Sequence, residues 1–104
     1  MVELRRHSRV PLETEVTLIP KGLNSGSIAL AKDISVGGIF VSGEQPFAFG
    51  AEIVVHVMLP GRSETLVLPG VVRWVRPAGM GVQFGLLGAR ETHAITEYIS
   101  SKET

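Results

Sequence analysis

The sequence predicts a mainly β fold: six short antiparallel strands, closed as a barrel or stacked as a sandwich, with one C-terminal α-helix and a flexible N-terminal arm. Three observations predict it. Apolar residues recur with a period of two along most of the chain. Gly, Pro and Asn clusters interrupt these runs at short, regular intervals. Only the C-terminal end changes to a helical period. The 104 residues are 44% hydrophobic and 19% charged, the composition of one globular domain with one core.

Each element follows in order. Residues 1–11 lack a strong period and read as the arm. The barrel or sandwich is expected over residues 12–86. Val16 and Leu18 alternate with Glu15 and Thr17, and Pro20-Lys21-Gly22 ends that run. Ile28 and Leu30 alternate with Ala29 and Ala31. A short stretch, Ile39-Phe40-Val41, follows Gly37-Gly38. Ile53, Val55, Val57 and Leu59 form the fourth pattern and stop at Pro60-Gly61. Leu66, Leu68, Val72 and Trp74 share one parity in a long fifth strand, which places Trp74 in the core or at the rim. Pro69-Gly70 interrupts that strand; proline has no donor for the ladder, so an edge or a bulge is expected there. Met80, Val82 and Phe84 alternate with Gly81 and Gln83. Leu87, Ala94, Ile95, Tyr98 and Ile99 then fall on one helical stripe, predicting a helix over 87–100 laid on the β-structure. Ile19 falls off its strand's apolar parity. With Phe47-Ala48-Phe49 it is open to two readings, an interface or simple packing.

Several function classes are disfavoured. The chain has no cysteine, which removes disulfides, thiolate metal sites and thiol nucleophiles. His7, His56 and His93 have no paired metal-ligand spacing. There is no nucleophile elbow and no phosphate-binding P-loop. An enzyme, a metal site and a cofactor are therefore not expected. No apolar run reaches the ~18–20 residues of a membrane span, and Met1-Val2-Glu3-Leu4-Arg5-Arg6 has no signal-peptide core. A cytoplasmic protein without membrane insertion is expected.

Ten Lys and Arg balance ten Asp and Glu. The distribution is uneven: Arg5, Arg6 and Arg9 crowd the first ten residues, and the remainder is mildly acidic. A net-neutral domain makes a poor general binder of DNA or RNA. Single-strand binding would need aromatic platforms along a basic groove, whereas Phe40, Trp74 and Phe84 sit in apolar strand patterns. A short arginine cluster suits a small anion, or it is a solvated tail.

Two motifs stand out. The arm reads Leu4-Arg5-Arg6-His7-Ser8-Arg9, giving Arg-x-x-x-Arg at Arg5 and Arg9. The second strand ends in Lys32-Asp33-Ile34-Ser35-Val36-Gly37-Gly38, giving Asp-x-Ser-x-x-Gly at Asp33, Ser35 and Gly38. Each is weak alone. Together, in this order, on a six-strand-plus-helix pattern, they resemble the PilZ domain, a bacterial receptor family for cyclic di-GMP. The resemblance extends through Val71-Val72-Arg73-Trp74, Gly81-Val82-Gln83-Phe84 and the closing helix. It implies a six-stranded antiparallel β-barrel with one C-terminal helix, forming a single domain over residues 1–104.

The chemistry suits that ligand. A guanidinium forks onto a phosphate or the O6/N7 edge of guanine and stacks on a base. Asp33 accepts from guanine N–H groups or orients an arginine. Asp33 and Ser35, two apart on a strand, would project from one face. Gly37 and Gly38 would let a ring approach closely and permit a positive φ. The resemblance implies that Arg5 and Arg9 clamp guanine and phosphate, with Arg6 inside the motif. Asp33, Ser35, Gly37 and Gly38 would form the barrel side. Asp-x-Ser before Gly-Gly is also open to ordinary turn chemistry, and Asp33 to pairing with Lys32 or Arg73 alone.

Many relatives carry a further arginine before the pair; here the position is Leu4. One cyclic di-GMP per chain is therefore expected. Binding would order the arm and change the surface shown to an unidentified protein effector. The alternative is a PilZ-like interaction module that works without nucleotide.

Overall fold

The computed structural model describes residues 8–103. The chain forms β1 (Val10–Pro20), β2 (Ser27–Ile34), β3 (Gly38–Ser42), β4 (Glu52–Val57), β5 (Leu66–Arg76), β6 (Gly79–Phe84) and α1 (Ala89–Glu103). The strands close into an antiparallel barrel in the order β1-β2-β3-β6-β5-β4. Period-two patterning fills the interior: Val16, Leu18, Ile39, Val41, Val55, Leu68, Val72 and Met80 are all buried. Removing each such side chain from water contributes roughly 1.5–3 kcal/mol. The core therefore decides which way each strand faces.

Four expectations need correction. The arm ends at Arg9, because Val10 and Leu12 are buried and Val10 and Pro11 already pair with Ile34 and Asp33. The helix runs 89–103 rather than 87–100. The Gly88 carbonyl accepts the Thr92 N–H, so Gly88 caps the helix, and no breaker stops it before Glu103. On β2, Ile28 and Leu30 are exposed while Ala31 is buried opposite Val41. At Pro69-Gly70 there is neither edge nor bulge: Val54 pairs Pro69 and Ile53 pairs Gly70 without interruption. Carbonyl and N–H of one strand residue point to the same side. The Pro69 carbonyl accepts from Gly85, just past the end of β6. The missing donor thus costs no ladder bond.

Bulges lie elsewhere: at Leu12/Glu13 in β1, at Lys32 in β2 and at Arg73 in β5. Glu13 takes a left-handed φ of 53° at the first. Each extra residue reverses which face the following side chain points to.

Helix α1 buries Ala94, Ile95, Tyr98 and Ile99 in the same core cluster as Val10, Leu12 and Leu59. Leu87 precedes the helix and packs against that core. The Tyr98 hydroxyl donates to the Pro11 carbonyl at 3.0 Å. Arg62 bonds Glu97 at 3.1 Å, and Arg90 pairs with Glu64.

Candidate ligand-binding site

The site forms where β1 begins and β2 ends. Ala31 faces the barrel interior, and strict alternation would turn Asp33 inward as well. The bulge at Lys32 re-aims it outward, opposite Phe40 of β3 and Pro11 of β1. Arg9, immediately before β1, reaches across to it. Its Nε donates to Asp33 Oδ1 at 2.7 Å, and its Nη1 donates to Ser35 Oγ at 3.2 Å. One guanidinium thus joins the two motifs, across sequence separations of 24 and 26 residues. The Arg9 and Asp33 side chains are 46% and 31% exposed, so the pair stays open to an incoming ligand. Arg9 Nη2 has no protein partner among the described residues and is available to an acceptor.

Ser35 meets Arg9 for a reason other than strand parity. It lies beyond β2, in the turn to β3, and is 1% exposed. Its Oγ accepts the N–H groups of Gly37 at 3.1 Å and Gly38 at 3.2 Å. Its own N–H donates to the Gly38 carbonyl at 2.8 Å. The turn chemistry and the contact with Arg9 therefore coexist on one hydroxyl. Asp33 does not pair with Lys32 or Arg73: Lys32 binds Glu13 at 2.9 Å, and Arg73 donates to Gln83 at 2.7 Å.

Gly37 and Gly38 differ from expectation. Neither takes the left-handed φ, which occurs at Gly22, Gly43, Gly50 and Gly61. Gly38 is required by close approach within the barrel. A Cβ there would lie 2.4 Å from the Val82 carbonyl oxygen of β6. The Gly37 carbonyl accepts from Phe84, tying the turn to the end of β6. Arg5, Arg6 and Leu4 lie outside the described residues.

Sequence reasoning did not foresee an aromatic shelf beside this cluster. The bulge at Arg73 turns Trp74 out of the core, opposite Gly81. Trp74 stacks on Phe40 with ring centroids 5.4 Å apart, and the Arg76 guanidinium sits 4.9 Å from the Trp74 ring. Pro11, Asp33, Phe40, Gly81 and Trp74 form one row across five strands, outside the barrel. Gly81 lets the indole lie flat, since a Cβ there would approach Trp74 Nε1 to 2.1 Å. No glycine flanks Trp74 in the sequence to mark the bulge; its partner Gly81 stands seven residues further on. The arrangement offers an anion-binding guanidinium, a carboxylate and a planar apolar shelf, the groups a purine nucleotide needs.

Fold and site together define a small closed β-barrel module, with Arg9 fastened to its outside through Asp33 and Ser35. The PilZ domain family model matches residues 3–101, and the chain belongs to that family, the cyclic di-GMP receptor family. PilZ domains are receptor and adaptor modules. Two solved structures share the fold. The Bacillus subtilis inhibitor of motility (MotI/DgrA) superposes with a TM-score of 0.78 at 20% identity, over 98% of this chain and 52% of that one. The PilZ domain of CeSA from a cellulose-synthesizing bacterium gives 0.74 at 16% identity, over 93% and 99%. The chain spans about half the length of the motility inhibitor. No curated protein matches the chain.

Proposed function

We propose that the chain is a cyclic di-GMP receptor that acts as an adaptor. The observation that carries this reading is Arg9, which bridges Asp33 and Ser35 and so unites the two motifs on one guanidinium. In this reading Arg9 Nη2 serves a ligand phosphate or guanine edge, and Arg5 and Arg6 supply the further guanidiniums of the clamp. Asp33 holds Arg9 in place and accepts from guanine N–H groups. The Phe40–Trp74 shelf gives a base a surface to stack on. Ordering the arm costs about 1–2 kcal/mol per residue fixed. Charge-assisted hydrogen bonds, worth roughly 1.5–3 kcal/mol each, offset that cost where about as many bonds form as residues are fixed. The ordered arm is then a new surface for a protein effector. Leu4 in place of a further arginine favours one ligand per chain. A cytoplasmic location fits this reading, and no helix among the described residues is long and apolar enough to cross a membrane.

Isothermal titration with cyclic di-GMP, with GTP and cyclic di-AMP as controls, tests the reading. Saturable binding near one per chain, abolished by Arg9→Ala or Arg5→Ala, is expected. Two ligands per chain would refute the Leu4 argument alone. No heat from folded protein would favour the nucleotide-independent interaction module.

A further inference from the structure

The side of the barrel built by β1, β4 and β5 carries an uncovered apolar face. Outward-facing residues sit in register there. Ile19, Val54 and Pro69 form one row, and Ile28 and Val67 flank it through Thr17 and His56. Leu86 follows Gly85, whose N–H bonds the Pro69 carbonyl of that row. Ile28 is 67% exposed, Val67 49% and Leu86 98%. Single exposed apolar residues are ordinary, but a contiguous cluster across neighbouring strands marks an interaction surface. A groove of about 190 Å³ runs over Val54, Pro69 and Val71 at its centre. Ile19, off the apolar parity of its strand, pairs with Val54 beside that groove.

Charge decides what fits there. The groove is bordered by one cation and one anion, Lys21 and Glu52, which pair at 2.9 Å. Both side chains are well exposed, at 71% and 60%. A two-fold axis beside this pair would set Lys21 of each copy against Glu52 of the other. Four charges would then alternate in sign around the axis, with apolar surface on either side. A patch with one charge of each sign is complementary to itself, which is the condition for an isologous contact. On β1 the face uses Thr17 and Ile19, eight and ten residues along the chain from Arg9 and so roughly 25–30 Å away at ~3.3 Å per residue, which leaves the Arg9–Asp33 cluster uncovered.

We propose that this β1–β4–β5 face pairs two copies of the chain about a two-fold axis, through exchanged Lys21–Glu52 contacts around an apolar centre. The face spans three or four strands, roughly 15–20 Å at ~4.8 Å per strand. A patch of that width in both directions covers about 225–400 Å², less than the ~800 Å² each partner of a standard interface buries. The pairing is therefore weak and depends on concentration.

Sedimentation equilibrium of the purified chain, from low micromolar to near-millimolar concentration, tests the proposal. The average mass should rise towards twice the monomer. Lys21→Glu and Glu52→Lys should each hold the chain monomeric, because like charges then meet across the axis. An equimolar mixture of the two variants should regain the doubled mass, since both cross-axis contacts become opposite in sign. That rescue also shows that both variants are folded. Val54→Glu should stay monomeric, and Arg9→Ala should associate like the parent. A parent chain that stays monomeric throughout overturns the proposal and leaves the face to a different protein. Dimers that survive Val54→Glu, or single-charge variants that fail to associate when mixed, overturn it equally.

Discussion

Replacing Ser35 by alanine removes an oxygen that accepts three N–H groups: those of Gly37, Gly38 and the Arg9 guanidinium. Arg9 can turn to water, but the turn cannot. Gly38 is buried and Gly37 half-buried, and the Gly38 carbonyl is occupied by the Ser35 N–H. A buried donor left without an acceptor costs about 1–3 kcal/mol. One full and one partial loss give roughly 2–4 kcal/mol for Ser35→Ala. In a domain of this size each kcal/mol moves Tm by roughly 4–8 °C, so a fall of about 10–25 °C is expected. Arg9→Ala provides the contrast. It deletes a half-exposed ion pair worth ~0–1 kcal/mol, so its Tm should fall by a few degrees at most. Both variants should lose cyclic di-GMP affinity, yet only Ser35→Ala should lose stability. Thermal melts by circular dichroism beside ligand titrations separate the two. A Ser35→Ala melt as mild as that of Arg9→Ala would refute the claim that this hydroxyl holds the β2–β3 turn.

Arg9→Lys keeps the charge but replaces the planar fork by a single ammonium, so ligand affinity should drop at least tenfold with little change in Tm; parental affinity would show that charge alone suffices. Gly81→Ala places a methyl against the indole and should push Trp74 off Phe40. Fluorescence of this sole tryptophan should shift to the red, with a stability loss of roughly 0.5–1.5 kcal/mol from the lost stacking; an unchanged spectrum would count against the shelf. Gly38→Ala drives a methyl into the Val82 carbonyl and should prevent stable barrel closure, read as lost cooperative melting. Burial pushes the Tyr98 phenol above its ordinary 10.0, so the folded protein holds this proton more tightly than the unfolded chain. The stabilisation this gives is complete below pH 10.0 and is lost as pH rises through the folded-state value. Tyr98→Phe should flatten the alkaline fall in stability, and ultraviolet titration of the sole tyrosine at an ordinary pKa would contradict this.

The strand order of hydrophobic runs, the helix stripe and the two motifs were legible because each leaves a pattern in residue type. What was not legible came from single extra residues. A bulge has no compositional mark, so nothing at Lys32 announced that Asp33 would turn outward, and nothing at Arg73 announced that Trp74 would leave the core. Ile28 and Leu30 face water because the β2 register is fixed by Ile34 against Ile39 and Ala31 against Val41. Hydrophobicity along β2 alone points the other way. Pro69 was a misleading signal, since its missing donor matters only if a strand lies on that side. Arg9, Asp33 and Ser35, named by the two motifs, lie in contact, but Ser35 arrives through a turn that spacing on a strand could not describe.

The closed barrel has one consequence for evolution and for engineering. Every described strand is paired on both sides over at least part of its length, so only short backbone stretches, such as the part of β1 before its pairing with β4 begins at Val16, are left for a peptide to extend, and strand addition has little to build on. In the proposed adaptor role, an effector would read mainly outward-facing side chains. Output specificity can therefore drift by exchanging outward-facing residues, one at a time, while the interior and the Arg9–Asp33–Ser35 cluster stay fixed. Grafting a new effector preference onto this chain becomes a problem of surface redesign, with the barrel kept as an inert frame.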